Sequence, residues 1–508
     1  MALLTTTPLL ANCQYFQHLF DIDSSYDWGW NIIIKPDGTY FVEGGFVNPA
    51  TNQWDEYNLI ISADGESILN KHLFHFDGVN IYDGNSGEMK ELPNGYYIIP
   101  LSEQIVHDTF YRGWAGLIKY NNFGDTIFLK TYTDTTTYFD EMIACAIMPD
   151  GGYMAGGLRA HDTAGYAYPG LIIRTDSLGD TLWTHTYQKF SNQSVQIFGI
   201  VPLSDGRIVV GANSERIKDA GAPHHYPYAD FAPWFMILDS AGNIIRDTVY
   251  DIGFQGGGWI YKDMNDGYFT FGSYDSLFSD DPTADNNFPS FIAHLDTNFR
   301  ITWITSFPYS IDNSHREKWL ARQLKDSSYI ILGDRWSGVP ESYGWAAKVN
   351  RYGGIVWDNI YYSDLNNDSY FRDVAEKPDG SLVFVGTSFN DTLPRIRRLQ
   401  DIWLVGVDSN GCENAFCAPT SVKPSPVLLK DEVLIYPNPN NGSFTINISS
   451  AENEPVQLII TNIVGQKIKE LTATTNKAVE VQMRVPKGMY FVTAITAQGR
   501  QSEKVVVE

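Results

Sequence analysis

The sequence predicts an all-β chain built from one four-stranded unit repeated seven times, and three observations carry that prediction. The stretch GLIIRTDSLGDTLWTHTY (Gly170–Tyr187) reads as two alternating strands around a short loop in which Gly179 suits a positive φ. Copies recur as NLIISADGESILNKHLF from Asn58, GLIKYNNFGDTIFLKTY from Gly116, WFMILDSAGNIIRDTVY from Trp234, SFIAHLDTNFRITWITSF from Ser290 and GWAAKVNRYGGIVWDNIYY from Gly344. Each copy follows a second hairpin whose turn is mostly Asp-Gly or Asn-Gly, the strongest short-range hairpin signal.

These second turns fall at Gly38, Gly95, Gly151, Gly206, Gly267, Ser327 and Gly380, so the unit recurs about every 53–61 residues. Each unit thus carries four strands, a to d. The seventh copy, DIWLVGVDSNGC from Asp401, keeps strand c and the turn but lacks strand d. The segment CQYFQHLFDID (Cys13–Asp23) alternates apolar residues ahead of the first unit and has no a, b or c strand attached. Pairing it into the seventh unit removes the last exposed edge. Four-stranded units repeated around an axis make a β-propeller; a solenoid is the alternative, but its repeats are usually shorter and need caps. The expectation is a seven-bladed β-propeller over residues 1–417, closed by residues 13–23 in its last blade. Trp183, Trp303 and Trp357 recur at one place in strand d, which reads as packing between neighbouring units.

After Cys417 the composition changes. APTSVKPSPVLLKDE (418–432) is rich in Pro and Ser and reads as a linker. Beyond it, 433–508 is nearly balanced in charge and reads as short strands such as SFTINISS, VQLIITNIVG and MYFVTAITA, a small immunoglobulin-like β-sandwich. IYPNPNNGSFTI, NIVGQKIKEL, PKGMYFVTA and the closing EKVVVE follow one another in order along this tail. The tail resembles the type A C-terminal sorting domain of the type IX secretion system, carried by exported cargo in Bacteroidetes. The matching positions are Tyr436, Pro437, Asn438, Pro439, Gly442, Gly465, Gly488, Tyr490 and Lys504. The resemblance implies export across the outer membrane to the surface or medium, with the secretion machinery and its sortase-like peptidase as partners. A cut is expected within 418–432, where backbone is accessible. That route begins with a signal peptide, whereas MALLTTTPLLANC has no Lys or Arg to form a positive n-region.

The formal charge of −24 argues against nucleic acid and against an anionic membrane surface. No apolar run reaches the length of a membrane-spanning helix, and a monomer is expected. Of the four cysteines, Cys412 and Cys417 are close enough to pair, Cys145 on a strand a should stay free, and no zinc spacing is present. No cofactor is indicated. The acidic stretches DIDSSYD (Asp21–Asp27), DDPTADNN (Asp280–Asn287) and DLNNDSYFRD (Asp364–Asp373) invite calcium, yet none has the full ligand order of a calcium loop, and solvated loops are the plainer reading.

No nucleophile elbow, zinc-protease or phosphate-loop motif is present, and the sequence names no catalytic residue. The a–b and c–d turns are short, so one face of the ring is trimmed. The b–c connections are long, share the opposite face and carry aromatic residues. Trp54, Tyr57, Tyr111, Trp114, Tyr166, Tyr168, His224, His225, Tyr226, Trp336 and Tyr343 are the candidate ligand-binding residues. The first functional reading is a non-enzymatic adhesion or recognition module for extracellular protein or glycan. The alternative is a secreted hydrolase or lyase acting on polysaccharide or peptide, with paired carboxylates on the long-loop face.

Overall fold

The computed structural model describes residues 15–22, 26–82, 89–105, 113–132, 137, 139–160, 168–189, 194–215, 231–250, 254–255, 257–274, 290–307, 315–336, 342–363, 368–390, 399–413, 433–448, 453, 455–462, 467–483, 485–496 and 499–507. No helix occurs among them. Among the described residues the strands up to Val407 form six sheets, five of four or five strands and one of nine, in which the a-b-c-d runs of units two and three are joined by the parallel pair Phe139↔Gly113. Unit one is Asp27–Ile34, Tyr40–Val47, Trp54–Ile61 and Ile68–Phe74. Units three, four and six repeat that plan from Phe139, Val195 and His315. In units two and five strand a is broken into two short pieces, Val79–Tyr82 with Lys90–Glu91 and Phe254–Gln255 with Tyr261–Lys262. Between the pieces lie GNSG and GGG, sequences that weaken a strand.

The expected closure is formed by Phe16–Phe20, which pairs with Leu399–Val407 from Phe16↔Gly406 to Phe20↔Ile402. It becomes the outer strand of unit seven, beside Leu382–Asn390 and Ser369–Glu376. Strand a of unit one packs against all three of those unit-seven strands, so the first and last units are neighbours and the ring is shut. A polar clasp on Asp373 ties unit seven to both of its neighbours. Asp373 accepts hydrogen bonds from Arg322 Nε (2.7 Å) and Nη2 (2.9 Å) of unit six and from the backbone N of Ile32 in unit one (3.0 Å).

The turn chemistry explains why units repeat so evenly. The a–b turns have positive φ at all seven expected positions, including Ser327 at 65°. In the c–d turns the first residue (Asn121, Asp176, Asp239, Asp296, Asn350 or Asp408) accepts backbone N–H groups two and four residues ahead. Much of the acidity therefore serves the trimmed face, where Asp and Asn close turns. Each c–d turn then seats the preceding unit's strand d. Gly242 (φ +88) lies under Trp183, where a Cβ would crowd the indole, and its carbonyl accepts from Tyr187 OH at 2.8 Å. The relation repeats as Trp303 Nε1 to Arg351 O (3.1 Å) and Trp357 Nε1 to Ser409 O (3.2 Å), the inter-unit packing the three tryptophans predict. At the closure, Phe16 takes the same place against Gly65.

The tail forms two small sheets, Val433–Tyr436 with Ser443–Ile448 and Val479–Gln482, and Lys467–Thr474 with Pro455–Asn462, Gly488–Thr496 and Gly499–Val507. Phe444, Ile446, Leu458, Ile460, Val492 and Val505 are among the residues of its own apolar core. The linker at 418–432 lies outside the described residues.

Candidate functional site

Strand a lines the axis of a propeller, and here it carries one repeated irregularity. In units one, three, four, six and seven a single extra residue interrupts pairing with strand b: Trp30, Ile143, Phe198, Trp319 and Arg372. Such a bulge re-aims one side chain and frees it from the sheet's alternation. Strand b has glycine opposite the start of the bulge in four of these units, Gly44, Gly157, Gly333 and Gly386. A Cβ on Gly44, Gly157 or Gly386 would overlap a strand-a carbonyl oxygen, that of Trp28, Glu141 or Tyr370 respectively. The glycines inside strand b of units one, three, six and seven were therefore the sequence signal for the bulge, and reading hairpins alone missed it.

Three of the bulged residues, Trp30, Trp319 and Arg372, meet on the half nearer the b–c side. The Arg372 guanidinium carbon lies 3.7 Å from the centre of the Trp319 ring, 4.3 Å from Trp30 and 4.7 Å from Tyr370. Units six, seven and one thus clamp one cation between aromatic faces, an arrangement contributing about 0.5–2 kcal/mol per contact. All four side chains are half-buried. Trp319 Nε1 donates to Asp334 Oδ1 at 2.8 Å, which holds its ring in place. Across the ring, the Phe198 and Trp259 rings of units four and five lie tilted by 37° with centres 4.2 Å apart. The mouth is therefore walled by aromatic rings around one arginine.

The candidates on the b–c side are placed as follows. Trp54 is exposed (39%) and sits edge-on to Trp28 at 5.4 Å, extending the aromatic wall outward. Trp114, Tyr168 and Tyr343 are half-buried, and Tyr343 lies 4.6 Å from the exposed Tyr362 ring. Tyr57 corrects the sequence reading. It is wholly buried, three residues along strand c from Trp54 and so on the opposite side, with its OH donating to Trp28 O at 2.7 Å. Tyr57 packs inside a blade. Tyr111, Tyr166, His224, His225 and Tyr226, and the side chain of Trp336, lie outside the described residues.

The carboxylates that cluster are of two kinds. Glu43 and Glu56 are buried between units one and two, where Asn31 donates to Glu43 (2.7 Å) and Tyr120 to Glu56 (3.3 Å). Burial, then the neighbouring Glu43, pushes the Glu56 carboxyl well above its usual range. Asp21, Asp27 and Asp401 bring one oxygen each to within 4.8 Å of one another at the closure, a donor set suited to a hard cation. Two of these come from the first acidic stretch that invited calcium; the second stretch, 280–287, lies outside the described residues. Nearby, His75 Nδ1 meets Asp55 at 2.9 Å and Nε2 meets Asp77 at 3.1 Å, and the Asp55 hydrogen bond raises its pKa. Cys145 is buried and outside any disulfide, as expected; Cys412 is disulfide-bonded, and Cys417 lies outside the described residues.

In the tail, the sorting-motif positions shape the fold around its last strand. Asn438 Nδ2 donates to Lys504 O (2.7 Å) and Asn438 Oδ1 accepts from Val506 N (2.8 Å). Gly442 N donates to Asn440 Oδ1 and Gly442 O accepts from Met483 N, both at 2.7 Å. Tyr490 OH donates to Pro486 O at 2.8 Å, and Gly488 opens its strand. Tyr436 is half exposed, and Pro437 and Pro439 are exposed with it. Gly465 lies outside the described residues.

Residues 434–508 match the family model described as the secretion system C-terminal sorting domain. No curated protein matches the chain. Among solved structures, the chain is similar to the β-propeller domain of the Trilobed protease from Pyrococcus furiosus (8% identity, TM-score 0.40, 76% of this chain and 94% of that one). It is also similar to the GH93 α-L-arabinofuranosidase of Fusarium graminearum (10%, 0.39, 77% and 98%) and to an α-L-arabinanase of Penicillium chrysogenum (11%, 0.38, 61% and 88%). Likeness at this level carries no argument about activity. The propeller stands on its own strand pairings, and the tail makes the chain a type IX secretion cargo delivered to the cell surface or secreted.

Proposed function

We propose that this type IX secretion cargo is a recognition module that binds an extracellular glycan at the axial mouth of its propeller. The observation that carries the reading is the clamp of Trp30, Trp319 and Tyr370 around Arg372, half-open on the long-loop side. Sugars offer flat C–H faces that lie against indole rings and hydroxyls that hydrogen-bond to a cation, and a rigid ring presents both without ordering cost. The carboxylates beside the mouth, Asp334 and Asp373, accept from Trp319 and from Arg322 with Ile32, so they act as supports for the wall. This favours binding over turnover.

The test is a glycan array probed with the full chain, with Trp319→Ala and Trp54→Ala beside the wild type. Retained glycans that are lost by Trp319→Ala support the reading. Absence of any glycan ligand, or release of shortened products from bound polysaccharide, sinks it in favour of a protein ligand or a hydrolase respectively.

A further inference from the structure

One polar group at the mouth is not used by the ring itself. Trp30 Nε1 is shielded from solvent and has no hydrogen-bond acceptor among the described residues. By contrast, the indoles of Trp234, Trp319, Trp345, Trp357 and Trp403 each donate to an oxygen. A buried donor left without an acceptor costs about 1–3 kcal/mol, a cost that calls for an explanation at a functional site. Over the face of the same indole, 4.3 Å from the ring centre, lies the Arg372 guanidinium carbon. Aromatic rings cover the faces of that guanidinium, so hydrogen bonds are directed to its in-plane edge.

Both groups can only donate, and one is a permanent cation. Resting on the glycan reading above, we propose that the mouth recognises a carboxylate on that glycan, a uronic acid residue. The Trp30 N–H and the Arg372 edge serve as its donors. Charge-assisted bonds to a planar carboxylate are the contacts for which a fixed guanidinium is best shaped. The formal charge of −24 does not oppose this at contact range, because charges beyond about 8 Å are screened at physiological salt.

The experiment is calorimetry of the full chain with trimers of galacturonic and of glucuronic acid, their methyl esters, neutral galactotriose and a hexaglutamate peptide. Wild type is compared with Trp30→Phe, which keeps the ring and removes the donor, and with Arg372→Gln; thermal unfolding confirms that each variant folds. An acidic trimer is expected to bind, its ester about tenfold more weakly, and Trp30→Phe to lose about tenfold. In indole-labelled NMR spectra, the peak absent from Trp30→Phe is expected to move on adding the acid but not the ester. Equal binding of acid and ester, or full binding by Trp30→Phe, overturns the proposal. Binding of galactotriose alone overturns the carboxylate and leaves the glycan reading standing. Binding of hexaglutamate without any sugar, or of no probe at all, overturns the glycan reading and this assignment together.

Discussion

Arg322 and Asp373 form a two-bond pair across the seam of units six and seven, at 2.7 and 2.9 Å, with Asp373 only 2% exposed. Burial raises the Asp373 pKa, and Arg322 opposes that rise. Arg322→Ala leaves a buried carboxylate that still accepts only backbone N–H groups, and removing one partner of a buried pair costs about 3–5 kcal/mol. Urea unfolding of this variant should show that loss. Arg322→Lys, which loses the two-bond geometry, should fall between it and the wild type.

Gly242→Ala should destabilise by at least about 1–2 kcal/mol, since φ is +88° and the new methyl meets the Trp183 indole. Tyr187→Phe should cost about 1 kcal/mol by removing one hydrogen bond to the same turn. The two sites share a contact, so the double variant should cost less than the sum, which thermal unfolding of all three will show.

Acid should unfold the ring through its turns. Hydrogen bonds to Thr39 hold Asp37 below its usual range; those from Gly152, Arg207 and Asn243 do the same first for Asp150, Asp205 and Asp239. A depressed carboxylate adds stability above its unfolded pKa of about 3.8 and loses it as pH falls through the folded value. Stability measured from pH 6 downward should therefore stay level to about pH 4 and drop below it. Asp239→Asn, which keeps an acceptor oxygen, should flatten that drop.

Glu56 has the opposite sign. Its raised pKa gives stability that is complete below the unfolded value of about 4.5 and is lost as pH rises through the folded one. Glu56→Gln should abolish that alkaline loss and leave a protein at least as stable as wild type at pH 8, measured by denaturant midpoints.

Removing residues 15–22 should expose the Leu399–Val407 edge and take the Gln17 partner from Trp403 Nε1. Light scattering should then show dimers or larger species, and the thermal midpoint should fall by several degrees.

The hairpins were legible because their code is local: period-two alternation and a residue of positive φ at each turn. Gly38 and Gly179 announce themselves within a handful of neighbours, and even Ser327 was placed by its spacing. The mouth was not legible in that way. Trp30 and Arg372 lie in strand a among ordinary core aromatics, and only a one-residue slip in pairing brings them to the axis. Tyr57 failed for a related reason: being near Trp54 in sequence says nothing about which side of the strand it occupies. The split strands of units two and five were hidden because GNSG and GGG read as loop while their flanks still pair.

The strand at Phe16–Phe20 has a wider consequence for how the molecule is made. Its partner is among the last passenger segments to leave the ribosome, so the nascent chain carries an orphan apolar strand through nearly all of translation. Blades can collapse one by one as they emerge, but the final cooperative step waits for the two ends to find each other, a long-range search of the kind that slows β proteins. A chain interrupted before unit seven would leave both ends sticky, and the quality-control machinery of the cell would meet it as an unfinished ring.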